Sequence, residues 1–298
     1  MHQSPNPSAA RTGRHAFAAL IVANLFLALG PWMVRLADVG PVAAGFWRLT
    51  LAIPLLLLFT RYGARNRLRP EWGLLMLIAL GGLFFAADLA AWHYGILRTK
   101  LANATLFGNS SSFLFALYGF VVMRSLPKGS QAGAFILAII GTALMLGNSY
   151  ELSSRHFAGD LFGILARFFY FLYLVVIDRA RKRLGPMPVL ALATAAGAMP
   201  MLLFALALGE TVVPGDWTPL ILLSISSQVI GQGLLVYAMG HLSPLVVGVA
   251  LLTQPAVTAL IGWLAYDERL SATDIFGALL ICAALVLIRL PQRETRAE

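Results

Sequence analysis

Charge is scarce in this sequence. Acidic and basic side chains make up 12% of the 298 residues, against about 25% in an ordinary soluble domain. The shortage is one-sided, with 13 carboxylates against 22 lysines and arginines. Too few charges remain to clothe a soluble surface, which excludes an ordinary cytosolic domain. The single cysteine, Cys282, rules out an intrachain disulfide and a cysteine metal cluster. The five histidines are scattered, and no His or carboxylate pair has the spacing of metal ligands. Gly231-Gln232-Gly233 lacks the rest of a dinucleotide fingerprint, and no phosphate-binding loop or nucleophile elbow is present. The chain is therefore expected to hold no cofactor, no metal and no catalytic residue, and not to be an enzyme.

What is abundant is hydrocarbon: 59% of the residues are hydrophobic. Crossing a bilayer takes about 20 apolar residues, and runs of that kind recur at 16–35, 41–60, 72–95, 101–123, 131–148, 157–178, 187–208, 218–240, 243–266 and 271–290. These ten stretches, joined by short connections, predict an all-α, multi-pass membrane protein. The first run follows Arg11 and Arg14 but is long, lacks a small-residue cleavage site and is followed by nine more, so it reads as a retained helix.

The formal charge of +9 reports orientation and gives no reason to expect a nucleic-acid partner. Fifteen basic residues fall on one set of connections: Arg11, Arg14, Arg61, Arg65, Arg67, Arg69, Arg124, Lys128, Arg179, Arg181, Lys182, Arg183, Arg289, Arg293 and Arg296. Five fall on the other: Arg35, Arg98, Lys100, Arg155 and Arg269. By the positive-inside rule both termini are cytoplasmic, in a bacterial-type inner membrane.

The sequence also overlays on itself at an offset of about 143–145 residues. "VGPVAAGFWRLTLAIPLLLLF" (39–59) falls over "LGPMPVLALATAAGAMPMLLF" (184–204), Tyr94 over Tyr237, Gly119 over Gly262, and Gly133-Ala134 over Gly277-Ala278. Five spans per half is an odd number, so the second half enters the bilayer from the opposite side. The expected organisation is two inverted five-helix repeats, residues 1–150 and 151–298, a plan common among secondary transporters with midplane substrate sites.

The pattern resembles the EamA family of the drug/metabolite transporter superfamily over essentially the whole chain. In "QPAVTALIGWLAYDERLSATDIFGALLICAALVLI", the residues Pro255, Glu268, Leu270 and Gly277 stand where the family has its helix 9 proline, the acidic residue and leucine of the 9/10 turn, and the helix 10 glycine. "FWRL" (46–49) and "YGILRTKLANATL" (94–106) look like the corresponding first-half signatures. The first half departs from the pattern at Ser112, where a proline would align, and at Arg124-Ser125, where an acidic turn residue would fall. The resemblance implies a carrier moving small metabolites outward, and among the branches the sequence looks most like the YddG-type aromatic amino-acid exporters.

Polar side chains inside spans are costly unless they face the bundle interior, one another or water. Thr105, Asn109 and Ser112 share one face of span 4, Ser224, Gln228 and Gln232 one face of span 8, and Asp160, Gly163, Arg167, Tyr170 and Leu174 one stripe of span 6. Span 3 carries Gly81, Phe84, Asp88, Ala91 and Gly95 on one stripe, and span 1 contributes Asn24. The candidate substrate-binding residues are Asn24, Asp88, Trp92, His93, Asn109, Ser112, Arg167, Tyr170, Gln228, Gln232 and Gln254, and the candidate hinges are Gly30, Pro31 and Pro255.

Depth counted at 1.5 Å per residue puts Asp88 and Arg48 level. A structural Asp88–Arg48 pair is preferred over Asp88 as a proton carrier. Arg167 has no obvious partner at its depth and suits either a substrate carboxylate, through its planar fork, or backbone carbonyls of a neighbouring helix. Trp92, His93 and Tyr94, with Tyr170 and Tyr173, fit an aromatic wall for a planar apolar substrate, and the first three also fit an interfacial belt.

The functional expectation is a secondary transporter exporting small metabolites, neutral or aromatic amino acids foremost, by alternating access through a central cavity. Its partners are a small-molecule substrate and the lipid bilayer, and nothing in the sequence fixes an oligomeric state. Rival readings are an exporter of drugs or nucleoside-like solutes, a membrane enzyme, and a structural bundle without transport.

Overall fold

The structure is a computed structural model that describes residues 7–63, 70–96, 110–123, 129–147, 157–254, 256–257, 260, 263–264 and 271–288. The helices are α1 (Pro7–Ala28), α2 (Gly30–Leu36), α3 (Pro41–Gly63), α4 (Trp72–Ile96), α5 (Ser110–Met123), α6 (Ser130–Gly147), α7 (Phe157–Leu184) and α8 (Pro186–Ala207). After these come α9 (Thr218–Leu223), a π-helical stretch π1 (Ser224–Gln232), α10 (Gly233–Met239), α11 (Pro244–Leu251) and α12 (Ala272–Leu287). No strand occurs among the described residues.

Among the described residues six helical stretches are long and apolar enough to cross a bilayer: Thr12–Leu36, Pro41–Thr60, Trp72–Trp92, Leu161–Leu184, Pro186–Ala207 and Thr218–Met239. Ser111–Val122, Ser130–Leu144 and Ala272–Leu287 are shorter apolar helices. The chain is a multi-pass membrane protein.

Local sequence explains most of the ends. Proline stands at the first or second position of α2, α8, α9 and α11, where its missing N–H removes no helical bond. Ser243 and Ser271 cap α11 and α12 through their hydroxyls, the latter in a reciprocal capping box with Asp274. Gly185 turns the chain between α7 and α8 at φ 88°, in the left-handed region that only glycine adopts without penalty.

Two expected interruptions are present. The first span breaks between α1 and α2 at Leu29, beside the proposed Gly30-Pro31 hinge. In the ninth, α11 stops at Leu251, and Leu252 and Thr253 donate to carbonyls only three residues back (Val249 at 3.2 Å, Ala250 at 3.1 Å). Pro255 itself lies outside the described residues.

One helix departs from expectation. The sequence predicts a continuous α-helix for the eighth span, but Ser224–Gln232 is wound as a π-helix. Its looser turn changes the angular relation among Ser224, Gln228 and Gln232, and periodicity in an apolar run gives no sign of it.

The main helix contacts among the described residues recur when the two halves are exchanged. Three elements pack on their own counterparts: α3 on α8, α5 on α11 and α6 on α12. The α4–α7 contact is matched by π1 and α10 on α1, α4 on α8 by π1 on α3, and α5 on α7 by α11 on α1. Small residues make these crossings close. A Cβ on Gly82 of α4 would lie 2.3 Å from the Ala193 carbonyl of α8, one on Gly141 of α6 would lie 2.6 Å from the Gly277 carbonyl of α12, and one on Gly248 of α11 would meet Ala116 of α5 at 2.6 Å. Close backbone approach through small residues substitutes for a hydrophobic driving force that lipid cannot supply.

Polarity runs from inside to outside. Ser227 and Gln228 are fully buried, while Val121, Leu264 and Val286 are each more than 60% exposed, the arrangement expected where the outer solvent is hydrocarbon.

Alanine normally improves a helix interior over glycine by about 1 kcal/mol. At Gly82 the added methyl meets backbone, which cannot swing aside as a side chain can. Gly82→Ala is therefore expected to lower the thermal unfolding midpoint of the detergent-solubilised protein, by about 1–3 kcal/mol of overpacking. Gly13→Ala, whose methyl meets nothing within 4 Å, is expected to leave it unchanged or raise it.

Candidate functional site

The antiparallel contact of α4 and α7 builds the centre of the site. Gly81 lies against Val176, where an added Cβ would come within 2.8 Å of Val176 Cγ1. Farther along, Phe84 stacks on Phe169 at 6.2 Å and Tyr94 meets Phe162 edge-on at 4.8 Å. In that register Asp88 faces the turn of α7 that carries Arg167. The two approach to 3.7 Å, with 3% of the Asp88 side chain and 16% of the Arg167 side chain exposed.

This is a charge contact without a hydrogen bond, since 3.7 Å exceeds bonding range. Asp88 Oδ1 and Arg167 Nε are both buried without a hydrogen-bond partner. Buried polar atoms are normally satisfied, and here two unsatisfied atoms belong to oppositely charged neighbours.

Aromatic rings surround it. The Arg167 guanidinium sits 5.6 Å from the Trp92 ring centroid and 5.9 Å from that of Tyr170. Tyr170 stacks near Tyr173 at 5.7 Å, and Tyr173 on Phe85 at 4.6 Å. Both tyrosines reach Gln232 of π1: its Nε2 donates to the Tyr170 hydroxyl at 3.3 Å, and the Tyr173 hydroxyl donates to its Oε1 at 3.5 Å.

A second arginine enters from α3. Arg48 lies over Phe85 at 5.6 Å, and its Nε donates to Gln228 Oε1 at 3.1 Å. The Gln228 amide donates in turn to Thr194 Oγ1 of α8 at 2.9 Å. The chain Arg48–Gln228–Thr194 thus ties α3, π1 and α8 together.

The preferred pairing of Asp88 with Arg48 is overturned. Depth counting set the two level, but Arg48 is held toward π1 and Gln228, while the antiparallel register of α4 and α7 brings Arg167 to Asp88. Arg167 accordingly does have a partner, which counting residues from assumed span ends did not reveal.

Asn24 lies at a separate point. Its amide donates to the Ala250 carbonyl at 2.6 Å and to Thr253 Oγ1 at 3.2 Å, and Thr253 also donates to that carbonyl at 2.7 Å. The carbonyl loosened at the end of α11 is thereby occupied by the protein's own groups, leaving Asn24 Oδ1 as the unsatisfied atom.

Of the other expected site residues, Ser112 is buried on α5 and Gln254 is half-buried just beyond α11. Asn109 lies outside the described residues, as do the side chains of His93 and Asp160. The structure therefore brings together Asp88, Trp92, Arg167, Tyr170, Gln228 and Gln232, with Asn24 apart. Sequence reasoning missed Thr194 and Phe85 as members and misassigned Arg48. An isolated hydroxyl in the Leu/Ala-rich seventh span was the available signal for Thr194.

Two cations, one anion, amides and four rings thus share one desolvated region of the described interior. Among the described residues no group of three or more His, Cys, Asp or Glu side chains is placed to hold a metal.

The comparisons agree with this architecture. Two proteins of Archaeoglobus fulgidus, each described as an uncharacterized transporter, are similar over nearly their whole length. One is 27% identical across 94% of this chain and 97% of its own. The other is 25% identical across 93% and 97%. A protein crystal structure at 18% identity superposes with a TM-score of 0.70, covering 96% of this chain and 98% of its own, and shares the fold. The model of the EamA-like transporter family matches twice, at residues 15–147 and 157–290, once in each half. The chain is a two-repeat member of the EamA-like transporter family.

Proposed function

We propose that this transporter exports neutral or aromatic amino acids by alternating access, with the gap between Asp88 and Arg167 as the place where the substrate's charged groups bind. The observation that carries the reading is the pair itself: opposite charges 3.7 Å apart, each with a buried atom lacking a hydrogen bond. A zwitterion fits that deficit. Its ammonium supplies donors for the Asp88 carboxylate, and its carboxylate suits the planar fork of Arg167. Trp92, Tyr170, Tyr173 and Phe85 offer faces for the side chain.

The remaining elements of the reading follow from the family and the charge pattern. Ten spans form two inverted repeats, residues 1–150 and 151–298, with both termini on the cytoplasmic side of a bacterial-type inner membrane. The repeats rock about the breaks at Gly30-Pro31 and at Pro255. Gln228, Gln232, Gln254, Asn24, Ser112, Asn109 and His93 complete the polar lining. Transport runs down the substrate gradient, with Asp88 as a binding group and not a proton carrier.

Counterflow into liposomes holding the purified protein tests this. Saturable uptake is expected for aromatic and neutral amino acids, with no competition from N-acetyl or methyl-ester derivatives, each of which lacks one of the two charges. Saturable uptake of the derivatives equal to that of the parent compounds would overturn the zwitterion assignment.

Arg167→Lys keeps the charge but loses the fork, and is expected to raise the half-saturation concentration about tenfold or more, the equivalent of about 1.4 kcal/mol. Asp88→Asn is expected to lower uptake of zwitterions while leaving the pH dependence of the residual flux unchanged. Loss of the pH dependence would assign Asp88 to proton coupling instead.

A further inference from the structure

Away from the interior site, the start of α4 and the end of α7 enclose a cavity of about 360 Å³ lined by Gly73, Leu74, Leu77, Arg179, Lys182 and Arg183. Its size falls within the range of about 300–1,000 Å³ typical of small-molecule pockets. The two helices are antiparallel, so the cavity opens at the membrane face where α4 begins and α7 ends. Trp72, which heads α4, is 72% exposed at the same level, in the position of an interfacial aromatic anchor.

The lining divides by chemistry. Leu74 and Leu77, one helical turn apart on α4, form an apolar floor with Gly73. Arg179, Lys182 and Arg183 follow the i, i+3, i+4 spacing of one face of α7 and form a basic rim.

The charges are not equivalent. Asp178, almost fully buried, takes Arg181 on one oxygen and Lys182 on the other, the latter at 3.1 Å. Asp178 thereby holds Lys182 at the rim and neutralises part of its charge. Arg179 and Arg183, both exposed, supply the remaining positive charge. Glu71, the other acidic group at this end, is exposed ahead of α4 and is not part of the lining.

A pocket with a greasy floor and a cationic rim at the bilayer surface selects an amphiphile with an anionic head. The geometry points to a bound anionic phospholipid, its phosphate on Arg179 and Arg183 and its acyl chain along Leu74 and Leu77. Juxtamembrane basic groups attract anionic lipid in general. The cavity makes this site local, because a diffuse charge effect needs no floor of fixed shape. An occupant there would brace the α4–α7 contact that presents Asp88 and Arg167 at its other end.

The test is native mass spectrometry and thermal unfolding of the detergent-purified protein with added phosphatidylglycerol, phosphatidylcholine or inorganic phosphate. Phosphatidylglycerol is expected to give a retained one-lipid adduct and a raised unfolding midpoint, and the other two neither effect. Replacing both Arg179 and Arg183 by Ala is expected to weaken adduct retention at least tenfold. Leu77→Trp, which fills the cavity and keeps every charge, should do the same and carries the test if the double variant does not fold. Arg14→Ala, which removes an exposed charge elsewhere, should retain the adduct.

Equal effects of phosphatidylcholine, equal stabilisation by inorganic phosphate, an adduct insensitive to Leu77→Trp, or equal loss in Arg14→Ala would each overturn the lipid site.

Discussion

The interior of this bundle is organised around an imbalance: among the described residues two guanidiniums, Arg48 and Arg167, stand in one cluster with a single carboxylate, Asp88, which pairs with Arg167 and leaves Arg48 to Gln228. A charged side chain at the centre of a spanning helix costs about 2.5–3.5 kcal/mol to insert. Three in one neighbourhood are tolerable only where other groups answer them. The surrounding structure is largely that answer. Phe85, Trp92 and Tyr170 turn ring faces toward the cations, Gln228 accepts from Arg48, and Thr194 accepts from Gln228. The responses come from four elements, α4, α7, α8 and π1, so satisfying the charges also fixes how these meet one another and α3.

That requirement explains why close crossings and polar groups fall together. Gly82 allows α4 to touch the α8 backbone, and α8 presents Thr194 to the amide of Gln228. The π-helical turn contributes both Gln228 and Gln232, which reach different partners, Arg48 with Thr194 on one side and the two tyrosines on the other. Local departures from α geometry often occur at functional sites. Here the departure falls where the residues of one short segment serve two halves of the same cluster.

How much of this was legible in the sequence follows from which physical signals are local. Apolar runs long enough to span lipid identify themselves, and the stripes on spans 3 and 6 are buried as expected at Gly81, Asp88 and Ala91 and at Gly163, Tyr170 and Leu174. Glycine-proline breaks are equally local, and the first span divides where Gly30-Pro31 stands. Pairing is not local. Asp88 and Arg48 are level by residue count, yet rotation about the helix axes and the register of α4 against α7 decide that Asp88 meets Arg167. The π-helix was illegible because apolar periodicity carries no sign of it, and the partners that Gln228 and Gln232 reach lie on distant segments; the Ala250 carbonyl at the end of α11 was visible in outline while its capture by Asn24 was not.

The exchange symmetry of the packing sharpens the meaning of these differences. The α4–α7 contact and its counterpart, π1 and α10 against α1, are built on one plan, but their chemistry diverges. The first holds an ion pair. At the second, Gly231 packs on Leu27, Ser227 donates to the Phe26 carbonyl at 3.3 Å, and the nearby Asn24 amide is engaged with α11. Under the alternating-access reading proposed above, a frame that rocks between two states needs equivalent joints, which the repeated packing supplies. Discriminating the two ends of a small molecule needs the opposite, and only a break in symmetry can provide it. In that reading, charge concentrated at one joint and neutral contacts at the other meet both demands, because the packing plan recurs at both joints while the ion pair stands at only one of them.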